Sequence, residues 1–270
     1  MSTATSAVGT VSSPAPGRSA LARKASALRW GTVVAGVVVW ELICLGPLRN
    51  NDYLAPPSSV LTAGLPAVLQ PDNLLALWQT TSRFLEAFVV VAIVGTILGL
   101  VLGRLHRQIF HGARDVVSVL YALPMVPFFP LFVLWLGLGT PSEVAFGVIH
   151  GIMPVILMVM TASARIDRNL VTSGQTMGAS RMQRLSFIVL PAVVPEIIGA
   201  LKIGAALSLL GVLLAELMIS IDGVGQFIAN QVTNHQAAKL DAMVIVVCVG
   251  VVVINSLLGL LERRASHWRS

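Results

Sequence analysis

Four charged side chains, Arg83, Glu86, Lys202 and Glu216, stand inside stretches of sequence that are otherwise apolar. An ionisable group at bilayer depth costs on the order of 2.5–3.5 kcal/mol on insertion scales, so each demands a partner or a wet cavity. Arg83 and Glu86 are three residues apart, the spacing of neighbours on one helix face, and are expected to pair there. Lys202 and Glu216 are separated by roughly 21 Å along a helix that rises 1.5 Å per residue, so each needs its own partner. Two readings of Lys202 stay open. Its ammonium either draws an anion along a membrane pathway or snorkels to the interface on its apolar stem. His150 lies within an apolar run and is the one histidine placed to line such a pathway. His106, His111, His235 and His267 are scattered without the spacing of metal ligands.

Enzyme chemistry finds no support in the chain. A phosphate-cradling G-x-x-x-x-G-K-[ST] loop is absent, and so is any Gly-Lys dipeptide. Neither H-E-x-x-H nor G-x-S-x-G occurs. Cys44 and Cys248 fall in apolar segments without a C-x-x-C neighbour, and both read as small buried hydrophobes. No metal site or bound cofactor is expected.

The elements that must position these residues are membrane helices. Apolar residues make up 56% of the 270 and charged residues 11%, where a soluble domain carries about 25% charged. The mean hydropathy is +0.84. The fold class is therefore all-α, a polytopic membrane protein. Stretches near the roughly 20 apolar residues that a span needs lie at about 29–48, 83–103, 116–138, 142–163, 191–220 and 242–261. Pro124, Pro127 and Pro130 interrupt the third. It is expected to sit inside the bundle or to be broken near one end, because freed backbone groups must be satisfied by protein or water.

Basic residues orient the six spans. Fourteen of the 18 Lys and Arg fall before span 1, between spans 2 and 3, between spans 4 and 5, and after span 6. The opposite loops hold Arg49 and Lys239 beside Asp52, Asp72, Asp222 and Asp241. The positive-inside rule then makes both termini cytoplasmic. The net charge of +6 is thus a topology signal directed at a lipid bilayer with anionic headgroups, with no nucleic-acid partner. Residues 1–27, rich in Ser, Ala, Thr, Pro and Gly, read as a disordered cytoplasmic tail before a membrane domain over 28–265.

One polar island breaks the apolar pattern. Residues 165–195 include Arg165, Arg168, Arg181 and Arg184, between spans 4 and 5. Thr172 to Met177 reads as a short helix ended by a left-handed Gly178. Ser180 then stands as an N-cap with Gln183 three residues on, the capping-box spacing. Met182, Leu185, Ile188 and Val189 come next at helical intervals, and Leu190-Pro191 opens span 5. Helix connections in bundles usually take 2–8 residues, so a capped, amphipathic loop near 25 residues long exceeds what connection requires. Its form suits docking of a partner.

Gly178-Ala179-Ser180, followed by Phe187-Ile188-Val189-Leu190-Pro191 and Pro195, resembles the cytoplasmic "EAA" loop of permease subunits in binding-protein-dependent type I ABC importers. The name-giving Glu-Ala-Ala is replaced by Thr172-Ser173-Gly174, so the usual acidic contact with the ATPase is missing. The resemblance extends over roughly 40–268. Leu54-Ala55-Pro56-Pro57-Ser58-Ser59-Val60, Leu123-Pro124-Met125-Val126-Pro127, Trp135-Leu136-Gly137-Leu138-Gly139, Ala215-Glu216-Leu217-Met218 and Gly223-Val224-Gly225-Gln226-Phe227-Ile228 are similar to the nitrate, sulfonate and taurine branch.

That resemblance implies a homodimeric permease with the pathway between protomers. It also implies two ATP-binding subunits that hold ATP and Mg, an extracytoplasmic substrate-binding protein, and a small anionic solute. The coupling loop spans about 165–190, with Thr172, Ser173, Gly174, Met177, Gly178, Ala179, Ser180 and Arg181 as its contact residues. Glu216 would either pair with another element or subunit or help to position the binding protein. The spans alone leave two other readings open, an ion-gradient-driven secondary transporter and a non-transporting membrane scaffold.

Overall fold

The computed structural model describes residues 17–47, 54–219 and 221–266, and all the regular elements among them are helical. Helix α1 covers Gly17–Leu45, and a short helical stretch comes after it over 57–68. Then come α2 (Pro71–Gly103), α3 (Arg107–Ala122), α4 (Phe129–Leu136), α5 (Thr140–Ala164) and α6 (Arg168–Thr176). The chain ends with α7 (Leu190–Ile219), α8 (Gly223–Thr233) and α9 (Ala237–Ser266). Helix α1 starts within the stretch read as a tail; residues 1–16 lie outside the described part.

Among the described residues, four helices are long and apolar enough to cross a membrane, in α2, α5, the segment Met182–Ile219 and α9. A fifth crossing exists if α3 and the segment Val126–Leu136 count together, across a bend of 82°. The bend has a local cause. Leu123, forced out of the helical region by the following proline, has φ −68° and ψ 135°. The first expected span falls in α1, whose apolar part among the described residues is Gly31–Leu45, shorter there than a crossing. The third span is thus broken, as its prolines require. It is not interior within the protomer, since Val117 is the one buried residue of α3. Helix α1 meets the rest of the chain chiefly at the 57–59 turn, where the Glu41 carboxylate accepts hydrogen bonds from Ser58 N–H and Oγ at 3.0 and 2.7 Å.

Helices α5 and α7 form the centre, with the second half of α2 against α5 and with α9 against α7. Lipid tails are as apolar as leucine, so close packing rather than water exclusion must hold such helices together. The sequence supplies it with Gly95, Gly99 and Gly103, one turn apart on α2. A Cβ at Gly99 would lie 2.7 Å from Val159 Cβ, and one at Gly103 would lie 2.4 Å from the Met160 carbonyl oxygen. Val91, Leu100, Val155, Val159, Val193 and Ile197 fill the layer between α2, α5 and α7. Apolar side chains such as Val249, Val252 and Val253 of α9 remain on the outside, as a lipid-facing surface requires.

Candidate functional site

The polar island folds as two short helices joined at a rigid elbow. Asp167 caps α6, its carboxylate accepting from Asn169 N–H at 2.9 Å. Gly178 has φ +81°, a conformation that an L side chain strains to adopt. This lets Ala179 N–H reach the Gly174 carbonyl and Gly178 N–H reach the Gln175 carbonyl, both at 3.0 Å. Those two bonds are the Schellman closure of a helix end. Ser180 then opens the next helix with a reciprocal capping box. Its N–H donates to Gln183 Oε1 at 2.8 Å, and Gln183 N–H donates to Ser180 Oγ at 3.3 Å.

Two further contacts weld the two short helices together across the elbow. Arg184 donates to Gln175 Oε1 at 2.9 Å, tying the second short helix to the first. Gly174 is buried against Ile188, whose Cδ1 would lie 2.6 Å from a Cβ there. The altered triplet thus contains a close approach at its third position. Thr172 and Ser173 remain exposed, and Ser173 supplies the carbonyl that accepts from Thr176 Oγ1 at 2.8 Å. From Arg181 the backbone is helical through a single π-helical turn, Leu185–Val189, and on into α7. Met177, Met182 and Phe187 stand 87%, 71% and 77% exposed, an apolar set on an otherwise polar knob. Arg181 occupies the first turn of the second helix.

At the far end of α7 lies a second constellation. Glu216 is fully buried, and Arg83 of α2 reaches it at 2.9 Å through one guanidinium nitrogen. The same guanidinium approaches Glu143 at the start of α5 at 2.9 Å and Asp222 before α8 at 2.5 Å. Thr80 Oγ lies 2.8 Å from both Glu216 carboxylate oxygens, and Gly225 N–H donates to Glu216 Oε2 at 2.9 Å. A Cβ on Gly225 would fall 2.4 Å from Glu216 Cβ, so a side chain at 225 would push the α8 amide off the carboxylate. One guanidinium therefore joins α2, α5, α7 and the entry to α8.

The expected pairing of Arg83 with Glu86 does not occur. Burial decides between them: Arg83 turns into the bundle toward three carboxylates, while Glu86, one turn along α2, is exposed. Lys202 finds a partner sixty residues on, an ion pair with Glu262 of α9. His150 is half-buried, with Nδ1 2.9 Å from the Phe146 carbonyl and its ring 4.4 Å from that of Phe146. Cys44 is buried as expected; Cys248 is exposed on α9, because the helix turns it away from α7.

Sequence reasoning missed Thr80, Glu143 and Asp222 as partners in the far-end cluster. The available signal was an arginine and a glutamate inside apolar runs, each of which had to be satisfied by something distant in the chain.

Residues 95–267 match the family model described as the binding-protein-dependent transport system inner membrane component. The taurine transport system permease protein TauC of Escherichia coli (strain K12) is 26% identical over 245 residues, covering 88% of each chain. The nitrate import permease protein NrtB of Synechocystis is 25% identical over 235 residues, 84% of each chain. Among solved structures, a bacterial ABC transporter involved in the import of the acidic polysaccharide alginate superposes with a TM-score of 0.64 at 15% identity. It covers 92% of this chain and 99% of that one, which shows the fold.

Proposed function

The chain belongs to the family of binding-protein-dependent transport system inner membrane components, as a permease of type I ABC importers, and on that premise we propose a working scheme. Two copies form a homodimer with the translocation pathway between them. Each copy docks one ATP-binding subunit through the 165–190 loop, and those subunits hold the ATP and Mg that this chain does not. The loop and both termini face the cytoplasm, consistent with the 14 of 18 basic residues on that side. An extracytoplasmic binding protein delivers the solute at the opposite end. The solute is a small anion of the sulfonate, nitrate or aromatic carboxylate class. Support for that class comes from relatives named for taurine, aliphatic sulfonates and nitrate.

One observation carries the scheme. The knob is capped at both helix ends and is continuous, through one π turn, with the helix that leads to the buried Arg83–Glu216 cluster. A push on Met177, Met182 or Phe187 is therefore transmitted to the far end of the bundle as movement of α7 against α5. ATP binding would draw the two loops together and turn the pathway outward. Hydrolysis would reset it, an alternation between two states biased in trans. Lys202, His150 and Glu216 belong to the surfaces of α5 and α7 that such movement would shift.

The test is reconstitution with the cognate ATPase and binding protein. Binding-protein-stimulated ATP hydrolysis and ATP-dependent anion uptake are the expected results. Uptake driven by an ion gradient through the chain alone would overturn the scheme, and so would failure of any ATPase to co-purify with it.

A further inference from the structure

A cavity of about 670 Å³ opens at the loop end of the bundle, between α3, α5, α7 and α9. Its polar lining comprises Arg114 and Ser118 of α3, Thr161 and Arg165 at the end of α5, Glu196 of α7 and Glu262 of α9. Volumes of roughly 300–1,000 Å³ with a few convergent polar groups are those of small-molecule sites.

The charges in it are unequally satisfied. Glu262 is engaged by Lys202. Among the described residues no hydrogen bond or ion pair joins the guanidinium of Arg114 or Arg165 to protein, and the Ser118 hydroxyl has no protein partner either. Among the described residues, and counting Lys202, three cations face two carboxylates, which leaves the cavity positive. A guanidinium presents a planar fork of donors that matches an oxyanion bidentately, and two forks flanking a hydroxyl suit one three-oxygen head. An apolar lining from Leu157, Met158 and Pro195 accommodates a short carbon chain behind that head.

We propose that this cavity is an oxyanion-binding site. Its ligand is the sulfonate or nitrate group of a free solute, or the chemically equivalent phosphate of a net-anionic phospholipid headgroup, one with no choline ammonium to neutralise it. The free-solute source rests on the anion-import reading; the site itself does not. Because Pro195, Glu196 and Gly199 lie in the first turns of α7, an anion held by Arg114 and Arg165 bridges the helix that carries the loop to α3 and α5.

The experiment uses the whole complex, permease with its ATPase subunits, in nanodiscs of phosphatidylcholine, with methanesulfonate as probe and calorimetry as readout. Wild type is expected to bind. The double variant Arg114→Gln/Arg165→Gln should bind at least about tenfold more weakly, as expected for loss of charge-assisted hydrogen bonds. Arg107→Gln, outside this cavity, should bind as wild type. Arg114→Lys/Arg165→Lys keeps the charge without the fork and should fall between the two, which secures the result if the glutamine variant does not fold.

A parallel arm in nanodiscs containing phosphatidylglycerol separates the sources. If an anionic headgroup is the ligand, that lipid weakens methanesulfonate binding and co-purifies with wild type but not with the glutamine variant. If a free solute is the ligand, both membranes give the same affinity. Wild type and glutamine variant behaving alike in both arms overturns the site. Binding-protein-stimulated ATP hydrolysis is measured on the same preparations. Hydrolysis with arginine-independent binding rejects the site alone, and arginine-dependent binding without hydrolysis rejects the import reading alone.

Discussion

Arg83 and Glu216 are 133 residues apart in the chain and 2.9 Å apart in the fold, with the carboxylate wholly buried. Removing Arg83 strands the buried carboxylate, which costs about 3–5 kcal/mol for a buried pair. The two losses are not equivalent. Arg83→Met leaves Glu143, Glu216 and Asp222 crowded without a cation. Glu216→Gln keeps one oxygen that can accept from both Gly225 N–H and the Thr80 hydroxyl, and it leaves Arg83 two carboxylates. Thermal unfolding in detergent should therefore rank wild type above Glu216→Gln and Glu216→Gln above Arg83→Met. Equal stability of the two variants would mean that the cluster is not a shared clamp.

The loop makes a sharper test of coupling. Gly178→Val forces a branched side chain into a left-handed conformation, at a cost of about 1–2 kcal/mol. Ser180→Ala removes half of the capping box, about 1 kcal/mol. Both changes loosen the elbow while leaving the bundle intact. Global unfolding temperature should be nearly unchanged, whereas binding-protein-stimulated ATP hydrolysis should fall several-fold in the reconstituted complex. A matched loss of stability and hydrolysis would show that the knob is only part of the general core.

How far these features could be read from sequence depends on their range. The capping box at Ser180 and Gln183 and the turn at Gly178 are local, written within four residues, and they appear where the pattern puts them. The break before Pro124 is local for the same reason. The Arg83 cluster is not, because three partners come from segments that only packing brings together. A three-residue spacing made Glu86 look like the natural partner, but spacing cannot say which face of a helix is buried. Pairing of Lys202 with Glu262 was hidden in the same way, since it depends on α9 lying beside α7.

That second pair yields a modest expectation. Lys202 and Glu262 keep 28% and 37% of their side chains exposed, so water competes for both. A pair in that position contributes about 0–1 kcal/mol. Lys202→Met and Lys202→Met/Glu262→Gln should therefore unfold within about 1 kcal/mol of wild type. Anion uptake then becomes an unconfounded readout. If uptake is unchanged in a well-folded Lys202→Met complex, Lys202 is not an attractor for the solute and its ammonium serves only α9.

Glu86 sets the last expectation, because its position has no explanation within one protomer. It lies one turn along α2 from Arg83, exposed, and among the described residues no hydrogen bond or ion pair engages it. A bare carboxylate facing lipid would carry the full insertion cost, whereas one facing a wet pathway between two copies would not. Cysteine labelling distinguishes the two. Native Cys248 is exposed on α9 beside Val249 and Val252, and so serves as an internal lipid-facing control. In the reconstituted complex a charged, membrane-impermeant thiol reagent should modify Glu86→Cys rapidly and Cys248 at least tenfold more slowly, since the reagent and the thiolate it attacks both need water. The Glu86→Cys rate should also change when ATP is added, as the pathway alternates. Modification of both sites at one slow rate would place Glu86 against lipid and would remove α2 from the pathway.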